Sequence, residues 1–153
     1  MRPFLLAAAV LISDQLSKWA IQRTMELGQS IPVVDNIFHI TYWRNPGAAF
    51  SLLPFRTTFF VIIGILVVTV IIVFFRRVPA DRKLLQFALA LQLGGAMGNL
   101  VDRVRIGSVV DFLDFRVWPV FNFADSAIVV GVILLSWDLL RTPDRPPGRT
   151  KVG

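Results

Sequence analysis

The sequence predicts an α-helical integral membrane protein: four transmembrane helices carrying a small extracytoplasmic β-sheet. Three observations lead there. Hydrophobic residues make up 55% of the 153-residue chain, charged residues only 17%, and mean hydropathy is +0.66. A typical soluble domain is roughly 45–50% apolar and about 25% charged. Four apolar segments approach the roughly 20 residues a helix needs to cross about 30 Å of hydrocarbon. Between the first two lies a long stretch patterned for strands and turns. A chain of this length allows a single domain, residues 1–153, most of it in the bilayer. Cysteine is absent, which excludes a thiol nucleophile, a thiolate metal site and any disulfide.

The first span is expected at residues 4–21. Arg2 and the apolar run from Phe4 to Ile12 imitate a cleaved signal peptide, but Ser13-Asp14-Gln15 follows where a small-residue cleavage site would stand. The segment should therefore be retained as a helix. Asp14 and Lys18, four apart, share a helical face and can pair; a direct role near a substrate is the alternative. Residues 22–56 are too patterned for a simple connector. Ile31–Val34 and Phe38–Trp43 are rich in β-branched and aromatic residues, and Arg44-Asn45-Pro46-Gly47 is a strong turn signal before Ala48-Ala49-Phe50. The lone histidine, His39, is expected in a loop with no catalytic part.

The second span, 57–75, is apolar all round. The third, 84–101, carries Gln86, Gln92 and Asn99, with Asp102 just beyond, so one face must turn toward protein or water. Gly94, Gly95, Ala96 and Gly98 form a small-residue patch suited to close helix packing. Asn99, Asp102 and Arg103 follow at helical spacings, placing an amide, an acid and a guanidinium on one face. Arg103 either neutralises Asp102 or offers its fork of donors to a carbonyl or phosphate of a lipid-linked substrate. The fourth span, 120–140, starts after Trp118-Pro119, where proline suits a helix start, and carries Asn122, Asp125 and Asp138. The tail, 141–153, with Pro143, Pro146, Pro147 and Gly148, is expected to be disordered.

Basic residues set the orientation. Arg2, Arg76, Arg77, Arg82, Lys83, Arg141, Arg145, Arg149 and Lys151 put nine on one side. The longer opposite loops hold six: Arg23, Arg44, Arg56, Arg103, Arg105 and Arg116. Both termini are therefore expected in the cytoplasm. Trp19, Trp43 and Trp118 fit an outer interfacial belt and Trp137 an inner one. The net charge of +6 reads as topology and contact with anionic phospholipid, not as nucleic-acid binding.

Two acids stand out. Asp111 lies inside Val109-Val110-Asp111-Phe112, in what reads as a connecting loop, and Asp125 inside Phe121-Asn122-Phe123-Ala124-Asp125 at the head of the last span. An ionised carboxylate near hydrocarbon costs a few kcal/mol or more, so such acids are functional candidates. Asp125 is expected beyond the first turn of its helix, which argues against a mere helix-start acid. Closure over the 13 residues between Asp111 and Asp125 is easy. Two carboxyls that meet can hold one proton between them, the ionised member accepting a proton from water while its partner protonates a scissile carbonyl. Amide or guanidinium donors nearby would stabilise the oxyanion. No metal or other cofactor is called for.

Asp14-Gln15-Leu16-Ser17-Lys18, Asn45-Pro46-Gly47-Ala48-Ala49-Phe50, Gly94 through Arg103, Val109-Val110-Asp111-Phe112 and Phe121-Asn122-Phe123-Ala124-Asp125 together resemble the motif set of bacterial lipoprotein signal peptidase, also called signal peptidase II. Five motifs in order, from the first span to the last, make the resemblance specific. It implies an aspartyl endopeptidase of the bacterial inner membrane that cuts a prolipoprotein just before a diacylglyceryl-modified cysteine, near the outer face. It makes Asp111 and Asp125 the catalytic pair. It makes Asn45, Gly47, Asn99, Arg103 and Asn122 contacts for substrate or inhibitor, and Asp14, Lys18 and Asp102 supports of the site. It also implies inhibition by globomycin, and the working unit is expected to be a monomer. A proton-coupled transporter would bury acids too, but nearer the midplane and often in repeated halves. An assembly subunit would explain glycines and tryptophans, but not polar motifs gathered on one side.

Overall fold

The computed structural model describes residues 2–47 and 56–141. In chain order these form helix α1 (Arg2–Thr24), strands β1 (Ser30–Val34) and β2 (Phe38–Asn45), helices α2 (Arg56–Phe75) and α3 (Lys83–Ile106), strand β3 (Val109–Asp114) and helix α4 (Phe123–Arg141). All four helices are long and apolar enough to cross a membrane. The strands make one antiparallel sheet in the order β1-β2-β3. The expected architecture is the observed one. Ala48, Ala49, Phe50 and the tail from residue 142 lie outside the described residues.

Helix α3 is the axis of the bundle because its small side chains let neighbours in. A Cβ on Gly94 would run into the Ala7 carbonyl of α1, one on Gly95 into the Ala124 carbonyl of α4, and one on Gly98 into the Asp14 carboxylate. In a bilayer, helix association rests on such close packing, since lipid tails are as apolar as leucine. Ala7, Leu85, Leu89, Ala90 and Leu93 pack with Ile71 and Phe75 of α2 at the end away from the sheet. At the sheet end, Tyr42 and Val110 pack with Met25, flanked by Ile21 and Ile106, so the sheet rests on the ends of α1 and α3. Most other apolar side chains of α2 and α4 face outward, as lipid-facing surfaces do.

Several boundaries differ from the expected spans. Helix α1 runs on to Thr24 and α3 to Ile106, and side chains of their last turns bond back to carbonyls of their own helices: Gln22 to Lys18, Thr24 to Ala20 and Arg103 to Asn99. Gly107, at φ +75°, ends α3 in the left-handed conformation, its amide bonded to the Arg103 carbonyl. Helix α4 starts at Phe123 and not near Val120, because Phe121 is bridged to Leu113 of β3 and Asn122 caps the helix. The segment around Asp111 is a strand, not a loop: its apolar neighbours Val110 and Phe112 are buried on both sides. His39 likewise sits in β2, its Nδ1 bonded to Ser30 Oγ at 3.0 Å. The register between β2 and β3 shifts between Ile40 and Trp43, which brings Trp43 opposite Asp111 and Asn45 opposite Val109.

Candidate active site

Both candidate acids hang from Asn122. The Asn122 amide nitrogen Nδ2 donates to Asp111 Oδ1 at 2.7 Å, while its backbone amide donates to Asp125 Oδ2 at 3.3 Å. Its Oδ1 accepts from the Asp125 amide at 2.9 Å, so Asn122 and Asp125 cap the start of α4 reciprocally. Asp125 therefore lies within the first turn, contrary to expectation. Its helix-start role and its place beside Asp111 coexist, because the capping residue is also a partner of Asp111. Asp111, 1% exposed, is held on its other oxygen by Asn45 Nδ2 at 3.0 Å. Burial, with the Asp125 charge added, pushes the Asp111 carboxyl up to about 6 against the pull of the Asn45 and Asn122 hydrogen bonds.

Beneath this pair lies a polar layer that the four helices could not otherwise tolerate. Lys18, 1% exposed, sits 2.9 Å from both Asp14 and Asp102 and donates to Asn99 Oδ1 at 3.0 Å. Asn99 Oδ1 also accepts from Asn122, which turns the Asn99 amide nitrogen to Asp125 Oδ1 at 2.7 Å. Asp14 accepts the Ala124 amide at 3.0 Å and Asp102 the Val110 amide at 3.1 Å, so the layer also holds the start of α4 and the strand β3. Asp14 and Lys18 pair as their spacing predicts. Asp102 is taken by Lys18, not by its neighbour Arg103, which leans over the Phe60 ring and donates to the Asn99 carbonyl at 3.4 Å.

Three residues were not assigned roles by sequence reasoning. Gln15 Nε2 donates to Asp102 Oδ1, the Gly98 carbonyl and Asp14 Oδ2 at 3.1–3.2 Å, stitching α1 to α3. Its place beside Asp14 in an apolar span was the available signal. Asp114 ends β3, accepting from Thr41 Oγ1 at 2.8 Å, the Arg116 amide at 2.9 Å and the Arg116 guanidinium at 3.0 Å. Burial opposes its charge, but these donors hold its carboxyl below the usual range. Phe60 gave no signal, being one aromatic in an apolar helix. Beside Asp125 opens an apolar cavity of about 490 Å³, walled by Phe115, Trp118, Phe121 and Val129.

Residues 6–141 match the family described as Signal peptidase (SPase) II. The chain belongs to the signal peptidase II family. That is a family of proteases, and the four-helix bundle with its sheet is a bacterial membrane-protein fold. The chain is 55% identical over 139 residues to the lipoprotein signal peptidase of Moorella thermoacetica, covering 90% of this chain and 93% of that one. It is 49% identical over 142 residues to the lipoprotein signal peptidase of Pelotomaculum thermopropionicum, covering 93% of each. A solved bacterial membrane enzyme superposes with a TM-score of 0.87 at 39% identity, covering 93% of this chain and 94% of its own. A second such enzyme gives 0.84 at 37% identity, with 97% and 94% covered.

Proposed function

We infer that this member of the signal peptidase II family removes signal peptides from diacylglyceryl-modified prolipoproteins, cutting before the lipidated cysteine through an Asp111–Asp125 pair. The observation that carries the reading is the shared anchor: one asparagine bonds both carboxyls, so strand β3 and helix α4 deliver two acids to one place in a membrane bundle. Two acids whose charges act on one another hold one proton more readily than none. Asp111, buried and titrating high, fits the member that donates to the scissile carbonyl; Asp125, on the wall of the cavity, fits the base that takes a proton from water. Atoms balance: water's hydroxyl adds to the carbonyl carbon, its proton goes to Asp125, and collapse expels the amine with a proton returned from the pair.

The surrounding donors have a place in this scheme. Asn45 and Asn122 hold Asp111, Asn99 holds Asp125, and the Arg103 guanidinium supplies positive charge for the oxyanion or the substrate backbone. Asp14, Lys18 and Asp102 support them from below, and Gly47 shapes the Asn45 turn. The apolar cavity beside Asp125 fits an apolar portion of a lipidated substrate. The reading places the chain as one domain in the bacterial inner membrane with both termini in the cytoplasm and the sheet on the outer side, working as a monomer among phospholipids and inhibited by globomycin. Purified chain incubated with a diacylglyceryl-modified prolipoprotein tests it. D111N and D125N should each abolish cleavage, globomycin should block the wild type, and the unlipidated precursor should remain uncut. Substantial cleavage by both variants would refute the pair.

A further inference from the structure

Phe60 belongs to none of the five motifs yet touches two of them. Helix α2 is pinned at its first turn, where Thr57 Oγ1 donates to the Gly107 carbonyl at 3.0 Å. Three residues on, the same helical face presents Phe60. Its ring lies beneath Arg103, the guanidinium carbon 5.3 Å from the ring centroid. The ring also abuts Gly47, where a Cβ would collide with it. Gly47, at φ +85°, donates its amide to Asn45 Oδ1 at 2.9 Å, and Asn45 holds Asp111. The Arg103 charge acts on Asp125, Asp111 and Asp102. One ring thus backs both the turn that grips Asp111 and the cation beside the acid pair.

We propose that Phe60 is a positioning residue for this site, its face seating the Arg103 guanidinium and its edge fixing the Asn45–Gly47 turn. The proposal rests on the aspartyl reading above. A guanidinium stacked on an aromatic face loses rotamer freedom, and the attraction grows where water is excluded. Without that face Arg103 samples other rotamers and spends less time where oxyanion charge develops. Leucine or methionine at position 60 preserves apolar volume near Gly47 but offers no π face.

Steady-state kcat and KM on a diacylglyceryl-modified prolipoprotein, with unfolding temperature alongside, are measured for the purified full chain and for F60L, F60M, R103K and the F60L/R103K double variant. F60L and F60M should lower kcat about three- to tenfold with KM changed less than about twofold, while unfolding close to wild type. On the R103K background, F60L should cost less than about twofold. Unchanged kcat in both single variants, an equal loss with and without Arg103, or a kcat loss that merely tracks a fall in unfolding temperature would each overturn the proposal. Wild-type cleavage by D111N would sink the aspartyl reading instead, so the two failures are separable.

Discussion

Replacing Asp111 and Asp114 by asparagine, one at a time, should change stability in opposite directions although the two acids lie three residues apart on one strand. Asp111 is lifted from 3.8 to about 6, chiefly by burial. The folded protein therefore holds a proton that the unfolded chain releases, and stability falls as pH rises from about 4 to about 6. Above that window the wild type carries a constant penalty of about 3 kcal/mol, roughly two units at 1.36 kcal/mol each. D111N removes the charge but leaves one of the donors Asn45 or Asn122 facing an amide nitrogen, at a cost of about 1–2 kcal/mol. The net gain at pH 8 is about 1–2 kcal/mol, a rise of a few degrees in unfolding temperature at about 2–4 °C per kcal/mol for a chain of this size. At pH 4 the wild-type penalty is largely gone and the mismatch remains, so D111N should be the less stable protein. Asp114 has the reverse linkage: its carboxyl is held low, so its stabilisation is present above 3.8 and lost as pH falls through the lower folded value. D114N should be less stable than wild type at pH 8, the gap closing in acid. Thermal unfolding in detergent micelles reads all three proteins, between pH 4 and pH 8 for Asp111 and on down to about pH 2 for Asp114, whose window lies below 3.8. A D111N curve below wild type at pH 8, or a difference between D111N and wild type that does not change with pH, would contradict this linkage.

K18M strands two buried carboxylates, each previously 2.9 Å from one ammonium group, and should destabilise by about 3–5 kcal/mol, or about 10 °C in unfolding temperature; a loss below about 3 °C would contradict the pairing. V129F narrows the cavity beside Asp125 and should raise KM about three- to tenfold while leaving unfolding temperature in place; an unchanged KM would remove the cavity from substrate binding.

What the sequence made legible was the part governed by period and by cost. Four apolar stretches of spanning length, the Asp14–Lys18 spacing and the small residues around Gly95 each obey local rules, and each is found as those rules require. The strand at Val109–Asp114 was hidden because the aspartate at its centre is satisfied at a distance: Asn45 of β2 and Asn122 ahead of α4 bond Asp111, and no local pattern announces them. The end of α3 was misplaced for the same reason. Asn99 and Asp102 look like a helix leaving the membrane, but Lys18 and Gln15 of α1 partner them where they stand. Phe60 was invisible because its role depends on which cation and which turn the fold brings to it.

The site is also part of what starts α4, and the chemistry of Asn122 shows why. Its side-chain amide has two N–H bonds and one carbonyl. The nitrogen donates to Asn99 Oδ1 and to Asp111 Oδ1, and the oxygen accepts from the Asp125 amide. An aspartate there would keep the cap but present an acceptor to two acceptors and add a third carboxylate to the pair. A leucine would strand Asp111 and the first turn together. The Asn99 amide is fixed by the same logic: Lys18 can only donate, so Oδ1 must face it and Nδ2 must face Asp125. Each amide has one orientation that satisfies its neighbours. The polarity of the bonds reaching the two aspartates is therefore set by a buried lysine and a helix cap, before any substrate arrives.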